Sequence, residues 1–169
     1  MKAPITWLRD YVSIETSVEE LASRLALTGT EVERVASFGV PGEAENLKCF
    51  VVGKVVECGK HPNADKLSVC KVDVGEGDQR TIVCGAPNVR AGLTVGIVLP
   101  GGRMPGGMRI REAKLRGVQS SGMIMSEAEL GLAAKSAGIM ELPAEWKAGD
   151  LLGDRFPIAD QVLEVEVTP

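Results

Sequence analysis

Apolar residues near the start of the chain recur at the spacing of an α-helix. Ser17 stands directly before this run, and Glu20 follows three residues later. This is the spacing of a capping box, in which the side chain of each residue accepts a hydrogen bond from the backbone amide of the other. Gly29 follows the run and can adopt the left-handed conformation that ends a helix. The helical spacing covers Val18, Leu21, Ala22 and Leu25.

The remainder of the N-terminal segment predicts a second, shorter helix and one strand. The shorter helix spans residues 6–12 and begins at Thr6 as its N-cap. Trp7, Leu8 and Tyr11 are expected to face inward from it. Residues 31–38 suit a strand.

From residue 50 onward the pattern changes to short β-rich runs that are separated by glycine-rich turns. Five such strands predict a small closed barrel, which is the architecture of the OB-fold. A short helix is expected to follow, with Ser126 as N-cap and Glu129 at the capping-box position. The predicted strands are residues 50–57, 67–74, 80–84, 94–99 and 108–115.

The last apolar run, residues 162–167, places Leu163, Val165 and Val167 on one face of a strand. This strand is expected to pair with the N-terminal helix–strand unit, and its abrupt end at Pro169 suggests a fragment of a longer protein. The sequence therefore predicts an α+β chain with mostly β content. A five-stranded OB-fold barrel, residues 39–150, is inserted into a small α/β domain formed by residues 1–38 and 151–169.

Composition narrows the class of protein. The chain has 169 residues, 25% of them charged, and no apolar run approaches the roughly 20 residues of a membrane helix. The N-terminus lacks the features of a secretory signal, so a cytoplasmic location without a membrane partner is expected. The four cysteines are scattered and are interpreted as thiols rather than a disulfide framework: Cys49, Cys58, Cys70 and Cys84.

Charge is distributed unevenly along the chain. The net charge is −4, but residues 50–117 hold 11 basic and 6 acidic side chains, a net +5 between two acidic flanks. Within this segment, Lys60 and Lys66 bracket a polar turn that contains His61, the single histidine. Cations on both sides of an exposed turn suit a polyanionic ligand.

Several runs in the same segment resemble the tRNA-binding domain of the endothelial-monocyte-activating-polypeptide type. They are residues 52–55 (VGKV), 60–67 (KHPNADKL), 84–89 (CGAPNV), 117–118 (GV) and 121–126 (SGMIMS). The flanks resemble the N-terminus of bacterial phenylalanine–tRNA ligase β subunits, through residues 7–12 (WLRDYV), 28–33 (TGTEVE), 138–143 (GIMELP) and 164–169 (EVEVTP). Family members often have Cys where Met125 stands, so no thiol role is assigned there.

The resemblance implies an auxiliary tRNA-binding module of a larger enzyme. That enzyme is an α2β2 heterotetramer that attaches phenylalanine to tRNA with ATP and Mg²⁺, and its catalytic and editing sites lie outside this chain. The chain is therefore expected to hold no catalytic residue, metal or cofactor. The implied partners are tRNA, the α subunit and the rest of the β subunit, and DNA is not expected. The alternative is a structural module that supports assembly and contacts RNA little.

Cations that meet phosphates supply most of the affinity for nucleic acid, so the basic residues lead the candidate site. His61 is interpreted either as an RNA contact or as a structural cap of its turn, and Asn63 as a turn residue that can also reach RNA. A zinc site from Cys58, His61, Cys70 and Cys84 is disfavoured, because no CxxC pair is present. The candidate tRNA-binding residues are Lys60, His61, Asn63, Lys66, Arg109, Arg111, Lys114, Arg116, Ser121 and Ser126.

Overall fold

The computed structural model describes residues 1–75 and 77–166. Its strands, in chain order, are β1 (Lys2–Pro4), β2 (Val32–Gly39), β3 (Phe50–His61), β4 (Ala64–Asp73), β5 (Gln79–Cys84), β6 (Thr94–Val98), β7 (Ala113–Leu115), β8 (Val118–Ser120), β9 (Met123–Ile124), β10 (Glu141–Leu142) and β11 (Ala159–Val165). The helices are α1 (Ile5–Arg9), α2 (Val18–Leu27) and α3 (Ala44–Leu47), with 3-10 turns at Pro105–Gly107 and Leu152–Asp154. None of the described helices has the length and apolar character to cross a membrane.

The chain divides into two compact units, Met1–Gly39 with Ala159–Pro169, and Val40–Ile158. The first unit is an antiparallel sheet in the order β1-β11-β2, so β11 lies in the centre. The predicted pairing of the last strand with the N-terminal segment is confirmed. Leu163 and Val165 face the core as expected, whereas Val167 lies outside the described residues.

The two helices of the first unit differ in how well the sequence predicted them. The N-cap of α2 is confirmed, because the Ser17 side chain accepts a hydrogen bond from the Glu20 amide at 3.2 Å. Helix α1 begins at Ile5 instead of after a Thr6 cap. The inward prediction for Trp7 and Tyr11 is wrong, since they are 51% and 76% exposed. Ile5 and Leu8, three residues apart, lie on the face of α1 that packs on the core, so the inward prediction is confirmed for Leu8 alone.

The second unit is built on one antiparallel sheet. Its strands follow the order β10-β6-β3-β4-β5, and β9 also pairs with β6, at Ile97 and Val98. The prediction of an α+β chain with mostly β content is confirmed, but the sheets are open, and closure into a five-stranded barrel is not observed. The largest fully buried side chains of this unit include Phe50, Ile82, Ile97, Met125 and Leu130.

Two predicted elements of the second unit are corrected. The predicted strand over residues 108–115 contracts to β7, which pairs with β8 in a separate two-stranded hairpin. Ile110 instead exchanges backbone hydrogen bonds with Gly101 and Gly102, at 2.8 Å each. The predicted helix over residues 126–130 is a series of turns, although the capping-box contacts of its first residue are present.

Two glycines of β3 provide a matched test of core packing. A Cβ on Gly53 would lie 2.5 Å from Ile97 Cγ1 and 2.8 Å from Val72 Cγ1, whereas a Cβ on Gly59 would meet nothing within 4 Å. Gly53→Ala is expected to lower the free energy of unfolding by about 1–3 kcal/mol through overpacking. Gly59→Ala is expected to raise it by about 0.5–1 kcal/mol through reduced chain entropy. Urea unfolding measures both, and equal effects would contradict the packing of β3.

A carboxylate in the first unit predicts a pH dependence of stability. Glu164 on β11 accepts hydrogen bonds from the Arg34 guanidinium at 2.7 and 2.9 Å and lies 3.2 Å from the Lys2 ammonium. These two cations lower the pKa of Glu164 from 4.5 to about 2. Because the folded pKa is depressed, the stabilisation is present above about pH 4.5 and is lost as the pH falls through about 2.

Comparison with Glu164→Gln tests this sign. Urea midpoints of the wild-type chain and Glu164→Gln are expected to differ at pH 7 and to converge near pH 2. Glu31→Gln is the control, since Glu31 has no ion-pair partner among the described residues. A difference that persists unchanged at pH 2 would contradict the assignment.

Candidate nucleic-acid interface

The polar turn with the single histidine is the tip of the β3–β4 hairpin. His61 pairs with Ala64, which leaves Pro62 and Asn63 as the two turn residues. The Asn63 backbone N–H donates to His61 Nδ1 at 3.1 Å. His61 is therefore a cap of its own turn, and it is 5% exposed.

A second hairpin tip lies beside the first. Strands β7 and β8 are joined by Arg116 and Gly117, with Leu115 paired to Val118. The two turn residues have φ of 49° and 98°. A two-residue hairpin turn of type I′ requires positive φ at both central positions. Gly117 meets that requirement freely, whereas Arg116 adopts a conformation that is uncommon for a residue with a side chain.

Two hydrogen bonds join the hairpin tips, and we call them the hairpin clasp. His61 Nε2 lies 3.0 Å from the Leu115 carbonyl oxygen, and Asn63 Nδ2 donates to the Arg116 carbonyl oxygen at 3.0 Å. A carbonyl can only accept and a backbone amide can only donate. The imidazole is therefore neutral with its proton on Nε2, so that Nε2 donates to Leu115 and Nδ1 accepts from Asn63.

The base of the second hairpin is fixed to β5. The Ser120 hydroxyl accepts a hydrogen bond from the Val83 amide at 3.1 Å and donates to the Gly122 carbonyl at 3.2 Å. The Ser121 amide donates to the Thr81 carbonyl at 2.9 Å. Sequence reasoning did not select Ser120, because a serine that bonds a strand amide has no distinguishing motif.

The hairpin clasp brings four of the candidate cations to the two joined tips. We call these four the basic surface, and all are exposed. Each lies within three residues of a clasp residue along the chain, so the position of the tips fixes the position of their backbones. The basic surface consists of Lys60, Lys66, Lys114 and Arg116.

Arg109 and Arg111 lie at the other end of the segment that leads to β7. Both are exposed, and Ile110 between them is buried. They flank this anchored residue outside a regular strand, whereas the sequence predicted one strand over residues 108–115. Arg109 instead pairs with Arg103 in an isolated antiparallel bridge.

The six candidate cations share an electrostatic property. Within residues 1–75 and 77–166, none of them lies within 4.0 Å of a carboxylate oxygen, whereas eight other basic side chains do. An ion-paired side chain must give up its partner before it meets a phosphate. An unpaired one is available to a polyanion without that cost. The paired cations are Lys2, Arg24, Arg34, Lys48, Arg80, Arg90, Arg103 and Arg155.

The two candidate serines are engaged in local hydrogen bonds. The Ser121 hydroxyl donates to Glu112 Oε1 at 3.0 Å. Ser126 is buried, and both its amide and its hydroxyl donate to Glu129 Oε2 at 2.7 Å. Both hydroxyls thus already have a carboxylate as hydrogen-bond partner.

The cysteines do not form a metal centre in the described part of the chain. No group of three or more His, Cys, Asp or Glu side chains there is placed to hold an ion. Both nitrogens of His61 are used by the hairpin clasp and its turn. Cys58 and Cys70 are free thiols whose sulfurs lie 3.7 Å apart, and burial raises the pKa of Cys70 to about 12.

Adjacent serines provide a test of how β8 is fixed. Ser120→Ala leaves the buried Val83 amide without a partner, so the free energy of unfolding is expected to fall by about 1–3 kcal/mol. Ser121→Ala removes only a hydroxyl contact near the surface and is expected to change it by about 0.5 kcal/mol or less. Thermal or urea unfolding of the two variants provides the comparison. A larger loss for Ser121→Ala would contradict the anchoring role of Ser120.

Comparisons with known proteins match the segment of the chain that contains both hairpins. Residues 50–151 match the family model described as "Putative tRNA binding domain". The whole chain is 46% identical to the phenylalanine–tRNA ligase beta subunit of Coxiella burnetii and 47% identical to that of Nitratidesulfovibrio vulgaris, and it covers 21% of each relative.

A solved structure of a MetRS related protein from Pyrococcus horikoshii is 26% identical, over 60% of this chain and 85% of that one, with a TM-score of 0.45. The chain spans about one fifth of the length of the curated relatives it matches. The match of residues 50–151 shows that the chain belongs to the tRNA binding domain family, and over its whole length it is similar to phenylalanine–tRNA ligase beta subunits.

Proposed function

We propose that the chain binds tRNA through the phosphate backbone, as an auxiliary module of a phenylalanine–tRNA ligase. The observation that carries the proposal is that all six candidate cations belong to the eleven basic side chains, of 19, that lack a carboxylate partner within residues 1–75 and 77–166. All six fall inside the segment that matches the tRNA binding domain. In a chain with a net charge of −4, such a set favours a local contact with a polyanion.

The proposed contact is directed at phosphate rather than at bases. Single-stranded RNA is usually read by stacking on aromatic rings. The chain has six aromatic residues of this kind, and no Phe, Trp or Tyr occurs between residues 51 and 145. Both hairpin tips are therefore without a stacking platform. Cations on an ordered tip provide affinity and shape recognition with little sequence preference.

The basic surface is proposed as the principal contact, with Arg109 and Arg111 extending it along the chain. Ser121 is proposed as a secondary contact to ribose, because its hydroxyl lies near the surface. Ser126 is not proposed as a contact, since it is buried and bonded to Glu129. We further propose that residues 39–150 form an OB-fold module whose short strands complete the barrel around the observed sheet.

The longer protein is proposed to attach phenylalanine to tRNA in the cytoplasm, with ATP and Mg²⁺, as an α2β2 heterotetramer. This proposal follows from the names of the relatives, which are ligase beta subunits. ATP, Mg²⁺ and the catalytic residues are proposed to belong to other parts of that longer protein. The alternative role, in assembly alone, is not proposed, because no finding favours it.

Binding of a phenylalanine tRNA transcript against salt concentration tests the proposed contact. The variant replaces the basic surface through Lys60→Gln, Lys66→Gln, Lys114→Gln and Arg116→Asn. A plot of log affinity against log salt has a negative slope, and each lost phosphate contact reduces the magnitude of that slope by about 0.7–0.9. The full variant is therefore expected to reduce the magnitude of that slope by roughly 3 and to weaken binding strongly at low salt.

A charge-matched variant controls for the loss of net charge. It combines Lys2→Gln, Arg24→Gln, Lys48→Gln and Arg90→Gln, which all remove cations that are paired with carboxylates. This control is expected to keep most of the wild-type slope. The proposed contact is refuted if the wild-type chain does not bind tRNA at low salt, or if the control loses as much as the variant.

A further inference from the structure

We propose that His61 and Asn63 are positioning residues, which hold the cation-bearing tip of the β7–β8 hairpin in place for tRNA without contacting the RNA themselves. This inference rests on the proposed function and specifies how its site is organised. Of the two interpretations of His61, this geometry favours the structural one, in which the ring supports the contact surface.

The hydrogen bonds of His61 leave its ring nothing to offer a ligand. The side chain is 5% exposed. Nδ1 accepts from the Asn63 amide and Nε2 donates to the Leu115 carbonyl. A neutral imidazole has one donor and one acceptor, so both are used. RNA contact by this ring would require breaking the turn cap or the hairpin clasp.

The β7–β8 hairpin has little support of its own. Its first strand has three residues and all are exposed, including Leu115 at 41%. A two-stranded hairpin is at best marginally stable in water, so its position depends on external contacts. One end is fixed by Ile110 and the other by Ser120 and Ser121. At the tip, the side-chain hydrogen bonds observed among the described residues are the two of the hairpin clasp.

The position of the tip determines the cost of binding. Lys114 and Arg116 flank Leu115, whose carbonyl is the acceptor of the hairpin clasp. If the tip is released, these cations must be ordered when tRNA binds, and each ordered long side chain reduces affinity. The hairpin clasp therefore contributes to binding by fixing in advance the backbone of Lys114 and Arg116 at a tip joined to the tip that carries Lys60 and Lys66.

Two conservative substitutions separate the two roles of the imidazole. The oxygen of an Asn side chain occupies the place of Nδ1, and the nitrogen of a Gln side chain occupies the place of Nε2. His61→Asn keeps an acceptor for the turn amide and removes the donor to Leu115. His61→Gln keeps a donor within reach of Leu115. If the hairpin clasp matters, His61→Gln should bind tRNA more tightly than His61→Asn.

The test is a double-mutant cycle on the full chain, with a phenylalanine tRNA transcript as the probe. The first background is wild type and the second carries Lys114→Gln with Arg116→Asn, since Asn tolerates the positive φ of position 116. In the wild-type background, His61→Asn is expected to weaken binding by on the order of tenfold. In the second background it is expected to have no further effect, because the cations it positions are gone.

Backbone mobility provides a readout that is independent of RNA. The ¹⁵N heteronuclear NOE of Arg116 and Gly117 is expected to fall in His61→Asn and in Asn63→Ala, while the amides of β3 and β6 stay rigid. Urea midpoints of the variants show whether each remains folded. Gly59→Ala serves as a control in the same hairpin, since its added Cβ meets no atom within 4 Å.

The outcomes distinguish the inference from the proposed function. A wild-type chain that fails to bind tRNA at low salt refutes the proposed function, and this inference with it. A wild-type chain that binds, with His61→Asn binding equally well, refutes the positioning role alone. An equal loss in both backgrounds also overturns the positioning role, because it would show that the imidazole contacts RNA directly.

Discussion

A single neutral imidazole, bonded on both sides, is the constraint on which the proposed interface depends. His61 caps the β3–β4 turn with one nitrogen and reaches the β7–β8 hairpin with the other. Asn63 adds a second bond to the neighbouring carbonyl. Neither hairpin tip is a large structure, and each turn has only two residues. Their joint position follows from donors and acceptors that have few alternatives once the ring is buried, since an unpaired buried polar group is costly.

The pairing of basic with acidic side chains determines which cations at the hairpin tips are available to phosphate. Acidic residues outnumber basic ones overall, and many of the basic side chains are paired with them. Within the described residues eight of the 19 basic side chains are paired, and the basic surface belongs to the other eleven. A cation that has no carboxylate beside it attracts phosphate without losing a partner, and salt screens this attraction. The proposed interface thus combines the lack of neutralising partners with the position of the cations at the two joined tips.

The sequence predicted the β-rich pattern well because alternation and turn residues report directly on a pleated sheet. Strands β5 and β6 differ from their predicted bounds by one residue at one end, whereas β3 continues beyond its predicted end to His61. The predicted strand over residues 108–115 was wrong because Arg109 and Arg111 imitate the alternation of a strand. In the structure, Ile110 between them bonds to the backbone of Gly101 and Gly102 in the preceding loop. Backbone pairing across an irregular loop leaves no trace in the alternation of apolar and polar residues.

Side-chain roles at the site were harder to predict than the elements that carry them. The sequence left His61 open between ligand contact and turn cap, because the carbonyl of Leu115 lies 54 residues away along the chain. Ser120 was overlooked for the same reason, since its partner Val83 is 37 residues distant. The inward orientation predicted for Trp7 and Tyr11 also failed, because helical spacing does not reveal how much of a short helix a sheet can cover.

The most direct measurement is the tautomer of His61 by ¹⁵N–¹H correlation of its ring. The chain contains one histidine, so the spectrum holds a single imidazole. The hairpin clasp requires a neutral ring with the proton on Nε2 and NOE contacts from that ring to Leu115 and Arg116. A proton on Nδ1, or a ring without contacts to the β7–β8 hairpin, would contradict the hairpin clasp and the interface built on it.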